Sequence, residues 1–238
     1  MTSDAAHDRQ AREALAAWRE RMLRPPGPLD RMARGLQGRI NSLIPERVHQ
    51  AITGVIEQMT RAILTGSDYV TDRPLASGSL REREARVRKA IDGYRNIATV
   101  EGGIAGAGGF LLAAADFPAL MAIKLKLLFE IAALYGHSGQ DWRERLYILS
   151  IFQLAFSGAD HRRSVLLAME RGDQPASPQD FDWRRYQQEY RDYIDLAKLA
   201  QLLPVVGAPV GALVNFRLVE QLGETAMNAY RMRWFAGR

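Results

Sequence analysis

The chain has 238 residues, enough to bury a sizeable core as one large domain. Its 47% apolar and 25% charged residues make a globular composition and exclude disorder of the whole chain. The absence of cysteine excludes disulfides, thiolate zinc sites and cysteine nucleophiles, while a formal charge of +5 admits anionic partners without a run of like charges that would specify nucleic acid.

Residues 4–24 place Ala11, Leu15, Trp18 and Met22 at helical spacing. Pro25-Pro26-Gly27-Pro28 then makes a stiff hinge. The expected organisation is therefore an N-terminal appendage helix with its hinge over 1–28 and one helical domain over 29–238. No apolar run follows the acidic start, so a secretory leader is not expected. From Met32 to Ile63 the apolar residues keep a helical period, with Pro45 as an interruption and Gly66-Ser67 as a stop. Residues 67–79 read as a loop. Ser79 and Glu82 form a capping-box pattern for a helix dense in Arg and Glu that runs to Tyr94.

An uncharged stretch rich in Gly and Ala, 102–115, follows between Glu101 and Asp116. After Pro118 a strongly apolar helix runs to Tyr135-Gly136. Asp141 with Glu144 repeats the capping-box pattern and opens a helix through Phe152; Val165 to Glu170 extends or follows it after Gly158. Residues 171–182 are a polar loop. Trp183 to Leu203 reads as a helix with Tyr186, Tyr190 and Tyr193 on one face. A second small-residue apolar segment spans 204–214, and 215–235 closes as a helix. No run alternates with period two, so the expected fold is all-α: a compact multi-helix bundle with its two Gly-rich segments packed centrally.

Several blocks carry a resemblance. They are Ile44-Pro45-Glu46, Val100-Glu101-Gly102-Gly103, Ala115-Asp116-Phe117-Pro118, Glu130-Ile131-Ala132-Ala133-Leu134-Tyr135-Gly136, Glu144-Arg145-Leu146-Tyr147, and Pro204-Val205-Val206-Gly207 with Asn215. In this order they resemble the EcsC family from about residue 29 onward, leaving the first helix outside. The resemblance implies a membrane-linked accessory role beside an ABC transporter rather than a particular reaction. The chain departs from the family pattern at Lys126, where Arg is expected, and in a longer segment after Gly136.

Glycine in a helix costs about 1 kcal/mol relative to alanine. Gly102, Gly106 and Gly109, like Gly207 and Gly211, therefore call for a compensating close approach of another backbone, and both pairs 102/106 and 207/211 have the small-xxx-small spacing. A phosphate-binding loop is the weaker reading, because no strand precedes the segment and Glu101 would repel phosphate. The uninterrupted apolar runs, 102–115 and Leu202 to Val214, are 14 and 13 residues, short of the roughly 20 that a spanning helix needs. The expectation is a cytoplasmic protein, peripheral at the inner face of the membrane, with Phe110 and Phe117 as possible lipid contacts.

Three carboxylates adjoin apolar sequence: Glu101, Asp116 and Glu130. Brought together they could serve acid–base or metal chemistry. Separately, Asp116 reads as a helix N-cap, Glu130 as an ion-pair partner of Lys126, and Glu101 as a surface charge. Among the histidines, His137 reads as a solvated residue at a helix end and His161 as part of a polar turn. Ser150 reads as bonded to a backbone carbonyl within its helix. Trp234 and Phe235, between basic residues, either anchor at headgroups or close the core. No HExxH or Gly-x-Ser-x-Gly pattern occurs, and no metal or cofactor is expected. The function read from these features is that of a non-enzymatic, membrane-associated accessory protein with a lipid or membrane-protein partner. The alternative is a hydrolase or metal-dependent enzyme built on the three carboxylates. Replacing Gly106 or Gly211 by Leu is expected to destabilise the fold by about 1–3 kcal/mol through overpacking; thermal unfolding checks this, and unchanged midpoints in both variants would remove the close-packing account.

Overall fold

The computed structural model describes residues 3–25, 54, 63, 73–107, 117–173 and 207–237, with the backbone alone at 99–107, 117–118, 207–212 and 214. Among them no strand occurs. The helices are α1 (Ser3–Leu23), α2 (Leu80–Ala107), α3 (Phe117–Tyr135), α4 (Trp142–Phe156), α5 (Ala159–Arg171) and α6 (Gly207–Ala236). Gly109, Phe110 and Asp116, most of the expected helix before Gly66 and the aromatic helix over 183–203 lie outside the described residues.

Helix α2 starts on a reciprocal capping box. The Ser79 backbone N–H donates to Glu82 (3.0 Å), and the Glu82 N–H donates to Ser79 Oγ (3.4 Å). Its buried stripe is Leu80, Glu84, Val87, Ile91 and Ala98, at spacings that keep one face inward. Helix α3 is buried nearly all round, as its continuous apolar sequence requires. It ends at Gly136 in a left-handed conformation (φ 92°), where the His137 N–H reaches Ala132 and the Gly136 N–H reaches Ala133, both at 2.9 Å. Arg83 closes this end further: its guanidinium donates to the carbonyls of Leu134, Leu75 and Gly78.

The largest helix–helix contact is between α2 and α6. The pair is antiparallel, since Glu84 meets Arg231, Ile91 meets Gly223, and Arg95 meets Glu220 and Phe216. Continued at that register, the pairing brings 102–107 of α2 alongside the 207–211 start of α6, both helical in backbone. The fold is thus all-α, as its sequence period implies.

The first helix is docked against the bundle. Trp18 is buried with Leu154 and Leu166, and Ala11 enters the main core. Arg19 forms a two-bond pair with Glu170 of α5 (2.5 and 3.0 Å), Arg81 of α2 bonds Asp4 (2.8 Å), and Arg12 lies 4.0 Å over the Phe235 ring.

Two local expectations are corrected. Asp141 caps α4 by accepting from the Arg143 N–H (2.9 Å), but Glu144 does not complete the box; its carboxylate turns into the core. His161 is in the first turn of α5, not in a turn, and is buried. Ser150 does donate to the Leu146 carbonyl (3.0 Å), as its mid-helix position implies.

Gly223 of α6 packs directly against Ile91 of α2. A Cβ there would lie 2.6 Å from Ile91 Cγ1 and 3.1 Å from Cγ2, both close to the stiff branch point of that side chain. Gly223→Ala should gain about 1 kcal/mol of helix propensity and lose about 1–3 kcal/mol to overpacking, for a net loss. Adding Ile91→Ala should make the Gly223→Ala step stabilising. Chemical denaturation of the four members of this cycle measures it, and a stabilising Gly223→Ala in the presence of Ile91 would contradict the contact.

Candidate functional site

Helix α6 carries Arg231 and Arg233. Two residues along a helix turn a side chain by about 200°, so the two guanidinium groups reach opposite sides. Arg231 meets Glu84 on α2 through two bonds, Nε to Oε1 at 2.6 Å and Nη2 to Oε2 at 2.7 Å. Arg233 meets Glu144 on α4 at 2.5 Å. Both carboxylates are buried, Glu84 completely.

Glu84 has further donors. Tyr135 from α3 reaches Oε1 (3.4 Å) and His7 from α1 reaches Oε2 (3.0 Å). An ionised carboxylate only accepts, so His7 Nε2 carries the proton in this contact. Burial works against ionisation of Glu84, but the hydrogen bonds and charge of Arg231, followed by His7, outweigh it and hold the carboxyl below its ordinary value. Glu144 accepts from Tyr230 (2.5 Å) as well as from Arg233. Burial, then the adjacent Glu144 charge, pushes the Tyr230 phenol far up, so it stays a donor. Tyr230 stacks on Tyr135 (centroids 5.1 Å apart) and on His137 (5.3 Å), and so links the two pairs. His137 is therefore no solvated helix-end residue. Burial lowers its pKa despite the Glu144 carboxylate at 3.6 Å, and Arg233 and Arg83 lower it further. Each of the two carboxylates thus ties its own helix to α6.

Two clefts reach this polar core, and α1 walls both. One, of about 450 Å³, runs between α1, α2 and α6, with His7, Arg88, Asn228 and Arg231 in its lining. The other, of about 880 Å³, lies between α1, α4, α5 and α6, and Tyr147 and Arg233 face it. A separate buried group is Lys124 of α3. Its ammonium donates to the Leu120 carbonyl (3.4 Å), and burial pushes its pKa down to about 8. Asn215 of α6 is also buried, with its Nδ2 unpartnered among the described residues.

Of the carboxylates singled out from sequence, Asp116 lies outside the described residues. Glu130 is half-buried on α3, and Glu101 is fixed by its backbone position near the C-terminal end of α2. About 20 Å of helix separates Phe117 from Glu130 at 1.5 Å per residue, so Glu130 does not meet the end of α3 that Asp116 adjoins. No group of His, Asp and Glu suited to a metal occurs among the described residues. Trp234 and Phe235 pack against the core, with Arg83 and Arg12 over their rings. The residues missed were Glu84, Glu144 and Arg231. Glu84 had a signal: it falls four residues after Leu80 and three before Val87, on the buried stripe.

These features define a helical protein whose last helix is locked by buried ion pairs and whose two terminal helices frame two open clefts. The EcsC protein family matches residues 9–235, so the match takes in most of α1, beyond the blocks read from sequence. Protein EcsC of Bacillus subtilis (strain 168) is 41% identical over 222 residues, which cover 93% of each chain. This chain belongs to the EcsC family. It is also similar to the uncharacterized protein YdbA of the same organism, 27% identical over 219 residues that cover 82% of this chain and 80% of the other. No solved structure matches.

Glu84 supplies a pH test. Its folded pKa lies below the ordinary 4.5, so the stability it confers is complete above that value and is lost as pH falls through the folded pKa. Wild-type melting temperature should drop steeply on acidification below pH ~4.5. Glu84→Gln should destabilise by about 3–5 kcal/mol at neutral pH and show a flatter acid limb. Equal acid slopes in the two proteins would show that the titration lies elsewhere.

Proposed function

We propose that the protein is a non-enzymatic accessory protein that works at the inner face of a membrane, with one end of the bundle against lipid. The observation that carries this reading is the position of its exposed apolar side chains. Among the described residues the large exposed hydrophobics are Ile97 and Leu213, about half accessible. They sit on α2 and α6 beyond the Arg95–Glu220 crossing, at the same end of the antiparallel pair. Both helices run there into the uncharged Gly-rich sequence.

Arg217, exposed and four residues after Leu213, lies on the same helix face, which suits an apolar side chain in lipid beside a cation at the headgroups. No helix among the described residues is long and apolar enough to cross a membrane, so the reading is of shallow contact. The transporter link that the EcsC resemblance implies accords with a membrane-surface role.

Flotation of the purified protein with anionic vesicles tests it. Binding should weaken as salt screens the arginines, without vanishing, because the apolar contact is not screened. The double substitution Ile97→Asp with Leu213→Asp should abolish the salt-resistant part while leaving the melting temperature within a few degrees. A protein that stays behind with anionic vesicles at low salt would overturn the proposal.

A further inference from the structure

The cleft of about 880 Å³ between α1, α4, α5 and α6 combines an apolar wall with arginines. Leu15, Trp142, Met169 and Met232 are half-buried there, each packed on one side and open on the other. Methionine adapts its shape to an apolar occupant, and tryptophan offers a broad flat one. The volume falls in the range of small-molecule pockets.

The charges around the cleft do not cancel. Arg19 is matched by Glu170 at 2.5 Å, Arg233 by Glu144 at 2.5 Å, and Arg171 by Asp173 at 2.9 Å. Arg143 completes the lining, and among the described residues no carboxylate forms an ion pair with it. Its guanidinium is exposed and lies 5.6 Å from the ring centroid of Trp142, at the border between the charged rim and the apolar wall. Four guanidinium groups thus meet three carboxylates, and the surplus is one positive charge beside an apolar surface.

We infer that this cleft binds a single-chain aliphatic carboxylate, with the head on Arg143 and the chain along Trp142, Met169 and Met232. A monoanion balances the single unmatched cation, and the planar guanidinium fork suits a carboxylate. The chain accounts for the apolar wall, which a small anion alone would leave exposed. The site is remote in kind from the lipid-facing end proposed above: it takes one dissolved amphiphile, not a bilayer.

Equilibrium dialysis of the full chain with radiolabelled laurate below its aggregation limit tests the inference. Laurate should bind one per chain in the micromolar range, dodecanol at least about tenfold more weakly, and acetate not measurably. Arg143→Gln should weaken laurate about tenfold or more with an unchanged melting temperature, since the side chain is exposed. Arg86→Gln, an exposed arginine on α2 outside this cleft, should leave laurate binding as it is. The inference is overturned if laurate is not taken up, if dodecanol binds as well as laurate, or if Arg143→Gln binds laurate like wild type. Vesicle flotation reads a different surface, so failure of either experiment leaves the other standing.

Discussion

A carboxylate or guanidinium moved out of water loses several kcal/mol of hydration unless an oppositely charged group takes over its hydrogen bonds. This bundle meets that requirement twice along one helix. Arg231 and Arg233 lie on opposite sides of α6, so α6 satisfies Glu84 and Glu144 only when it sits between α2 and α4 at one rotation and one height. Sliding α6 by a residue would strand both carboxylates at once. Apolar packing alone tolerates such slips far better, because one aliphatic contact resembles the next. The ion pairs therefore set the register, and the apolar residues around them supply the bulk of the favourable burial. Tyr230 belongs to both arrangements, donating to Glu144 and stacking on the Tyr135 ring that bonds Glu84.

What the sequence made legible was the local part of this design. Helical period, the Ser79–Glu82 box, the Gly136 stop and the Ser150 back-bond each depend on residues within about one turn of one another, and each appears in the structure. What it hid was the choice of which charges go inside. Glu84 stands in the run Arg81-Glu82-Arg83-Glu84-Ala85-Arg86, where most neighbours are solvated, and only its place on the Leu80–Val87 stripe separates it from them. Glu144 has the position of a capping residue, but its real partner is 86 residues away. Lys124 is flanked by Ile and Leu, and its burial was equally open to reading from the all-apolar surroundings.

The docked position of α1 changes how the rest of the molecule is seen. It contacts α2 through His7 and Asp4, α5 through Arg19, and α6 through Arg12, so it closes gaps that three other helices leave between them. Both clefts owe one wall to it, and their widths are set by where it rests. An N-terminal helix that reads as polar and alanine-rich in this way lines both clefts. Its small residues Ala11, Ala14 and Ala17 leave the room that becomes the narrower cleft.

The wiring of Glu84 also has a consequence for how the chain is made. Its partner Arg231 lies 147 residues later. At a synthesis rate of about 5–20 residues per second, Glu84 emerges roughly seven to thirty seconds before the guanidinium that neutralises it. For the later part of that interval α3, the most apolar helix of the bundle, has emerged without the helix that covers one of its sides. Completion of the core thus waits on closure of a long loop, not on the order in which helices appear at the ribosome. Until α6 docks, the apolar side of α3 that it covers stays open in the growing chain.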